Sequence, residues 1–384
     1  MVKKIILMYD FLSELGGVER IMLFQANTLK KAGYKVSFAF AYINPNLKER
    51  YSNFDLIEYS KFPIKNETLQ ILSSITKDSI CKKFKDADLI ICHSFPASYL
   101  AYRIKKMYKI PYILHLHHPP QFLYNVETDW AKSSFKRKFS FLAGKIFGNS
   151  LRRFDRFCVK NADGYILECQ TVRRIIKETY NVEGEVIYPT IDKNFKLLKK
   201  SMKGIEKLGI KNDYILGSGR IIKQKRFDYF IKAVSKIKNK NILIVLAGKY
   251  DLKEKDELEN LIRKYKINAL ILGPVPIKEL VQLYNNAELC VLTCPKEWFG
   301  LVPIESMACG CPVISWKDNF GPQESIIEGK NGLLAKPYSI DDLARNIDKA
   351  INMDWKRENI VKSIDKFKEE KQSKKLIKVV KRFI

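Results

Sequence analysis

Two carboxylates, Glu297 and Glu305, stand eight positions apart in a segment running from Pro295 to Ser315, Pro-Lys-Glu-Trp-Phe-Gly-Leu-Val-Pro-Ile-Glu-Ser-Met-Ala-Cys-Gly-Cys-Pro-Val-Ile-Ser. Carboxylates accept hydrogen bonds only, and a pair of them suits the vicinal hydroxyls of a sugar. Upstream, Gly217-Ser-Gly219-Arg220-Ile-Ile-Lys-Gln-Lys225 carries a guanidinium and an ammonium just after an apolar run. Glycines there let backbone approach a ligand closely. Arg220 can grip phosphate oxygens bidentately, and Lys225 adds a compact charge. Hydroxyl acceptors in one loop and phosphate donors in another are the chemistry of an activated sugar.

These loops need elements to hold them. Apolar runs such as Tyr214–Ser218 and Leu289–Leu292 read as buried parallel strands, because they are continuous rather than alternating. Helical patterns fill the gaps, which makes the chain α/β. Pro303 suits the first turn of a helix and Gly310 its C-terminal cap. Glu297 then lies in a loop after a strand, and Glu305 in the first turns of the next helix. Open α/β sheets bind ligands at the carboxyl ends of their strands. The alternation occupies two stretches, 1–195 and 210–365. A lysine-rich, weakly patterned segment, 192–212, reads as the linker, and 366–384 as a basic terminal helix that could return to the first domain.

The order Glu297, Trp-Phe299-Gly300, Pro303, Glu305, Gly310, Pro-Val-Ile resembles the donor-site signature of family-4-type retaining glycosyltransferases. Gly219-Arg220-x4-Lys225 resembles the pyrophosphate element of the same family, departing at Arg226, where the family often has Gly. The resemblance implies a GT-B architecture, with two Rossmann-like domains facing across a cleft. It gives Glu297 the hydroxyls of the transferred sugar and Glu305 the ribose. Phe299, Gly300, Leu301 and Val302 belong to the donor loop, where backbone N–H groups could meet sugar or phosphate oxygens. Arg220 and Lys225 would neutralise charge on the departing nucleotide diphosphate, the electrostatic contribution that usually dominates such catalysis. Attack and departure from one face, without a covalent nucleophile, is the implied mechanism.

In the first half, Gly16-Gly17-Val-Glu-Arg20 follows the first strand and resembles the family's Gly-Gly-x-Glu-Arg loop, which approaches the donor from the opposite domain. All four histidines fall between positions 93 and 118. Period-two alternation puts His115 and His117 on one face and His118 on the other. No fourth metal ligand is visible, so no metal is expected. His117-His-Pro-Pro-Gln121-Phe-Leu-Tyr-Asn125 resembles the His-x-Pro-Pro-Arg segment of mannosyltransferase-like and lipid-linked-oligosaccharide members, with Gln121 and Asn125 in place of Arg and Asp. The resemblance puts His117 near the donor sugar and favours GDP-mannose. A hydrogen-bonded histidine at a strand end is the alternative.

The 384 residues allow two domains, and 46% hydrophobic content is ordinary for a globular protein. No apolar run reaches the ~20 residues of a membrane span. The N-terminal run is too short for a signal peptide and is broken by Asp10, so a cytoplasmic location is expected. The eight cysteines include no Cys-x-x-Cys pair; buried thiols are expected, with neither disulfides nor a cofactor. A net charge of +27 attracts polyanions without choosing among them. The stretch 131–160 carries nine Lys or Arg, one acid and six phenylalanines, with Phe135, Phe139 and Phe147 on one helical face. It suits the surface of an anionic membrane, or equally an aromatic face buried on the sheet. Together these features imply a hexosyltransferase taking a nucleotide-diphosphate sugar to a glycan or polyprenyl-linked acceptor, peripheral at the inner membrane face. An epimerase or phosphorylase of the same fold is the alternative. A basic nucleic-acid-binding protein is a second alternative, less favoured because it has no need of paired glutamates in a strand-end loop, and no specific nucleic-acid partner is expected.

Overall fold

In a computed structural model, residues 2–14, 16–60, 78–93, 95–124, 148–239 and 241–384 are described. They form two compact units, divided near residue 190, with 369–384 belonging to the first.

The first unit is a seven-stranded parallel sheet in the order β3-β2-β1-β4-β5-β6-β7. Its strands are β1 (Lys4–Leu12), β2 (Lys35–Ile43), β3 (Asp55–Glu58), β4 (Leu89–His93), β5 (Tyr112–Leu116), β6 (Gly164–Leu167) and β7 (Glu185–Val186). Every residue of β4 and β5 is buried, as expected of central parallel strands covered on both faces. The Gly17–Lys31 helix starts on a capping arrangement in which Gly16 N–H donates to Glu19 Oε2 at 3.0 Å. Lys30 and Lys31 end it, favourably placed for the helix dipole. Met22, Ala26 and Leu29 of this helix share a core with Leu376, Val379 and Val380 of the Glu369–Val380 helix. That last helix also ties to β7 and the residues after it: Tyr188 N–H donates to Gln372 Oε1 at 3.0 Å, and Lys375 Nζ to the Val186 carbonyl at 3.1 Å.

The second unit is a six-stranded parallel sheet in the order β10-β9-β8-β11-β12-β13. Its strands are β8 (Tyr214–Ser218), β9 (Leu243–Ala247), β10 (Ala269–Gly273), β11 (Leu289–Val291), β12 (Val313–Trp316) and β13 (Gly332–Ala335). The stretch expected to be a linker is largely part of this unit. Phe195, Ile205 and Ile210 are buried. Leu198 N–H and Ser201 N–H donate to the side-chain oxygens of Asn285 and Asn286 at 2.7 and 2.6 Å. Three apolar anchors and two side-chain acceptors fix it, although lysine dominates its composition.

All eight cysteines are buried free thiols. Among the described residues, no helix is long and apolar enough to cross a membrane. Phe135, Phe139 and Phe147 lie outside the described residues. The remainder of that basic segment is the Gly148–Lys160 helix. Its Asp155 is buried and accepts hydrogen bonds from Tyr124 and Tyr180 at 2.8 and 2.7 Å; burial pushes its carboxyl up to about 6. Phe157 on the same helix is 44% exposed.

Candidate active site

In both sheets the strand order reverses beside a central strand, between β1 and β4 in the first and between β8 and β11 in the second. Such switch points open a crevice at the carboxyl ends of the strands. Gly16 and Gly17 follow β1, Arg220 and Lys225 follow β8, and Glu297 follows β11, at these reversals; His117 follows β5, and Glu305 lies within the Leu301–Ala308 helix.

In the second unit, Gly219 follows β8 with φ +127°, a conformation that favours glycine. A Cβ on Gly248, after β9, would lie 1.9 Å from the Gly219 carbonyl oxygen, so the two loops touch backbone to backbone. Lys225 ends a 3-10 turn, Lys223–Lys225, and the loop after β11 is strapped to that turn. Thr293 Oγ1 donates to the Lys225 carbonyl at 3.2 Å, and Cys294 Sγ reaches the Gln224 carbonyl at 3.5 Å. These straps bring the Lys225 ammonium into direct contact with Glu297 Oε2, with the two side chains 20% and 18% exposed.

The charges support one another. Burial alone would raise the Glu297 carboxyl, but Lys225, then the Cys294 thiol and Arg220, outweigh it and hold the pKa below the ordinary value. Burial alone would lower Lys225; Cys294 and Glu297 outweigh that, and the net direction is up. The Arg220 charge acts on both groups, which places all three in one locality. Gly300, with φ +81°, precedes the Leu301–Ala308 helix, and the Val302 side chain faces Gly219, 4.0 Å from where a Cβ would stand.

The Glu297 loop is also braced from the loop after β12. Lys296 N–H donates to Asp318 Oδ2 at 2.8 Å, Phe320 N–H to Asp318 Oδ1 at 3.2 Å, and Gly321 N–H to the Glu297 carbonyl at 2.9 Å. Asp318 is a site-forming residue that no motif in the sequence marks, because it acts through a neighbouring strand of the sheet; Gly321 lies in Phe320-Gly-Pro-Gln-Glu324, which resembles the family's later Gly-Pro-x-Glu segment, and its backbone is what braces the loop.

Two expected donor residues are placed differently from the trio. Glu305 is buried, near Tyr284 and Cys290; burial first, and the Glu305 charge among the further causes, raises the pKa of both. The Phe299 ring is turned into the core, 1% exposed and edge-on to Phe367 at 5.5 Å. Its aromatic face therefore anchors the loop, and only its backbone is left to meet a ligand.

In the first unit, Gly16 is held by Glu19, while a Cβ on Gly17 would meet nothing within 4 Å. His117 is 3% exposed, and both ring nitrogens are engaged: Nδ1 with Glu168 Oε2 at 2.8 Å and Nε2 with His93 Nδ1 at 3.0 Å. His93 is the residue the sequence did not connect. It stands opposite His115 in the β4–β5 register, so it joins the face shared by His115 and His117. Among the described residues these three form the one cluster of potential metal ligands. The rings of His93 and His115 stack on that of His117 at interplanar angles of 21° and 22°. His93 and His117 pair with each other and, through their other nitrogens, with Gln25 and Glu168; His115 Nδ1 pairs with Gln25, and His115 Nε2 is buried with no hydrogen-bond partner among the described residues.

Residues 199–367 match the family model described as glycosyl transferases group 1, and residues 15–195 the model described as glycosyltransferase family 4. An uncharacterized glycosyltransferase of Methanocaldococcus jannaschii is 34% identical over 172 residues, 43% of this chain and 43% of the relative. The match thus spans less than half of that relative's length. An alpha-1,3/1,6-mannosyltransferase of Candida glabrata is 23% identical over 363 residues, 82% of this chain and 76% of the relative. Among solved structures, Anabaena HepE in complex with UDP-glucose has a TM-score of 0.78 at 18% identity, covering 99% of both chains, which speaks for the fold. Two family models that meet near residue 197, on a pair of parallel sheets whose reversals carry the matching loops, leave one placement: the chain belongs to the family-4-type glycosyltransferases of GT-B fold, near the mannosyltransferases.

Proposed function

We propose that the chain transfers a hexose, mannose before others, from a nucleotide-diphosphate sugar to a glycan or lipid-linked acceptor, with retention of anomeric configuration and without a metal. The observation that carries this reading is the convergence of Arg220, Lys225 and Glu297 at the β8/β11 reversal. Two cations there can neutralise a diphosphate leaving group, and a carboxylate held among them can orient sugar hydroxyls. The Candida relative is named a mannosyltransferase, which supports mannose, and the Anabaena neighbour was crystallised with UDP-glucose, which supports a nucleotide-diphosphate donor.

The test is a panel of nucleotide sugars followed by thermal unfolding. A donor present at 100 times its Kd stabilises the native state by about 2.7 kcal/mol. GDP-mannose is expected to give the largest shift, and product anomers read by NMR should keep the donor's configuration, with chelator present or absent. A panel in which no nucleotide sugar shifts unfolding, or an inverted product, overturns the reading.

The acceptor side extends the proposal to an anionic membrane surface, as a peripheral protein. On the Gly148–Lys160 helix, Arg153, Arg156 and Lys160 accompany the exposed Phe157. Each basic residue near such a surface contributes roughly 1 kcal/mol. Replacing those three by serine is expected to cut flotation with phosphatidylserine vesicles by one to two orders of magnitude, on the order of what that contribution predicts. Unchanged flotation rules this surface out.

A further inference from the structure

Arg226 fills a backbone position that suits glycine. Its φ of +53° and ψ of +43° lie in the left-handed region, between the Lys223–Lys225 turn and the Phe227–Val234 helix. That region is unfavourable for a residue with a Cβ, so the side chain has to offset the cost. It folds back along its own helix. The guanidinium grips Asp228 with two hydrogen bonds, Nε to Oδ1 at 2.8 Å and Nη2 to Oδ2 at 3.2 Å, and lies 3.9 Å from the centre of the Tyr229 ring. The Arg226 and Asp228 side chains are 20% and 13% exposed, so this pair is shielded from solvent. Lys223 with Glu257, at 51% and 42%, is not.

Tyr229 carries the contact onward. Its ring stands edge-on to the buried Trp316, 5.8 Å away at 87°, a favoured aromatic arrangement. Trp316 ends β12, and its Nε1–H donates to the Thr293 carbonyl at 2.9 Å. The Thr293 hydroxyl in turn donates to the Lys225 carbonyl at 3.2 Å. The path closes on itself, from Lys225 through Arg226, Tyr229, Trp316 and Thr293 back to Lys225. A second path leaves Trp316 on Tyr338, edge-on at 5.8 Å. The Tyr338 hydroxyl donates to Asp318 Oδ2 at 3.4 Å, and the same oxygen accepts from Lys296 N–H, next to Glu297. Trp316 is thus linked both to the turn that carries Lys225 and to the loop that carries Glu297.

We propose that Arg226, Tyr229 and Trp316 are positioning residues that hold the Lys225 ammonium against Glu297. Arg226 locks the left-handed turn that a glycine would take freely, and the two rings fix that turn against the strand beside the Glu297 loop. The chain thereby exchanges backbone freedom next to Lys225 for a set position of its cation. A preorganised cation stabilises developing charge without having to reorganise at the moment of reaction. Asp228 keeps Arg226 in place: burial alone would raise its carboxyl, but Arg226 and then Lys232 outweigh that and the net direction is down. Lys232 Nζ lies 2.8 Å from Asp228 Oδ2, so Asp228 retains a counter-ion when Arg226 is removed. The positioning itself requires no substrate; its use in catalysis rests on the function proposed above.

The first measurement needs no donor. In the full chain the Lys225 ammonium is expected to give a proton–nitrogen NMR signal whose exchange with water is slowed by the Glu297 contact, and its loss in Lys225→Ala identifies it. Arg226→Gly should speed that exchange by about tenfold, within the coupling of residues that share one network. Its denaturant midpoint should hold, because relief of the left-handed turn offsets the lost contacts. Tyr229→Leu should loosen the ammonium in the same way, and covers the case in which Arg226→Gly fails to fold. Tyr229→Phe keeps the ring and should match wild type. A side chain that merely packs would lower the midpoint and leave the ammonium alone. The second measurement is steady-state kinetics. Arg226→Gly should lower kcat by about tenfold and move the donor KM less, since Lys225 acts on charge that develops as the donor departs. A wild type that turns over no nucleotide sugar overturns the function proposed above, and the first measurement then decides this proposal alone. Wild-type ammonium exchange in both Arg226→Gly and Tyr229→Leu, a Tyr229→Phe that loosens it as they do, or an unchanged kcat beside a loosened ammonium each overturns the proposal.

Discussion

Lys225→Ala is expected to lower kcat by about 10²–10³-fold, the loss usual when a preorganised group that stabilises developing charge is removed. Glu297→Ala should lower kcat and also raise KM, because a hydroxyl acceptor holds ground state and transition state alike. The two side chains are in contact, so their effects should not add. Each single variant leaves its partner's charge in a mostly buried place without its counter-ion, and the double variant should be little worse than Lys225→Ala. Steady-state kinetics with the donor found in the panel checks all three. Equal and additive losses would mean that the pair does not work as one unit.

The pH range follows from the same contact. Glu297 is held below its unfolded value, so its contribution is present above about pH 4.3 and is lost as pH falls through the lower folded pKa. Lys225 is held above its unfolded value, so its contribution is present below about pH 10.4 and is lost as pH rises through the folded pKa. Neither group titrates near neutrality, and wild-type activity should show no limb there that Glu297→Ala or Lys225→Ala abolishes.

The loops that carry this pair were legible because parallel strands buried on both faces leave long apolar runs, and loops follow where the runs stop. β8 and β11 are found that way, and so are the positions of Lys225 and Glu297. Short strands with no such run escape. β3 is Asp55–Glu58, two apolar residues between two acids, and β13 is Gly332–Ala335. Their pairing with β2 and β12 makes them strands, and pairing is not written in local sequence. His93 was missed for the same reason. Alternation ties His115 to His117 within one strand, but only the β4–β5 register puts His93 beside them. Phe299 shows a different limit. A motif fixes where the loop lies and leaves open which way a ring in it turns, and here Phe367 takes the ring inward.

Gly321→Ala should abolish the site by displacing the backbone of the loop that carries Glu297, with no charged side chain of the site altered. The backbone of Gly321 is helical, φ −50° and ψ −40°, so any residue could adopt it. Space alone forbids a side chain, since a Cβ would lie 2.2 Å from Phe299 Cα and 2.2 Å from the Trp298 carbonyl oxygen. Both obstacles belong to backbone, which cannot swing aside as a side chain can. Relief requires the loop that carries Glu297 to move by more than an ångström, and a displacement of that size costs about 10²-fold in rate. Overpacking adds a stability loss of roughly 1–3 kcal/mol. The hydrogen bond from Gly321 N–H to the Glu297 carbonyl would break with it, so the loop loses its brace and its position together. Gly17→Ala is the comparison, because its Cβ would enter open space and folding stability should hold. Denaturant unfolding and donor-induced thermal shift measured on both variants separate the cases. A Gly321→Ala protein with wild-type stability and an undiminished donor shift would mean that the brace does not position Glu297.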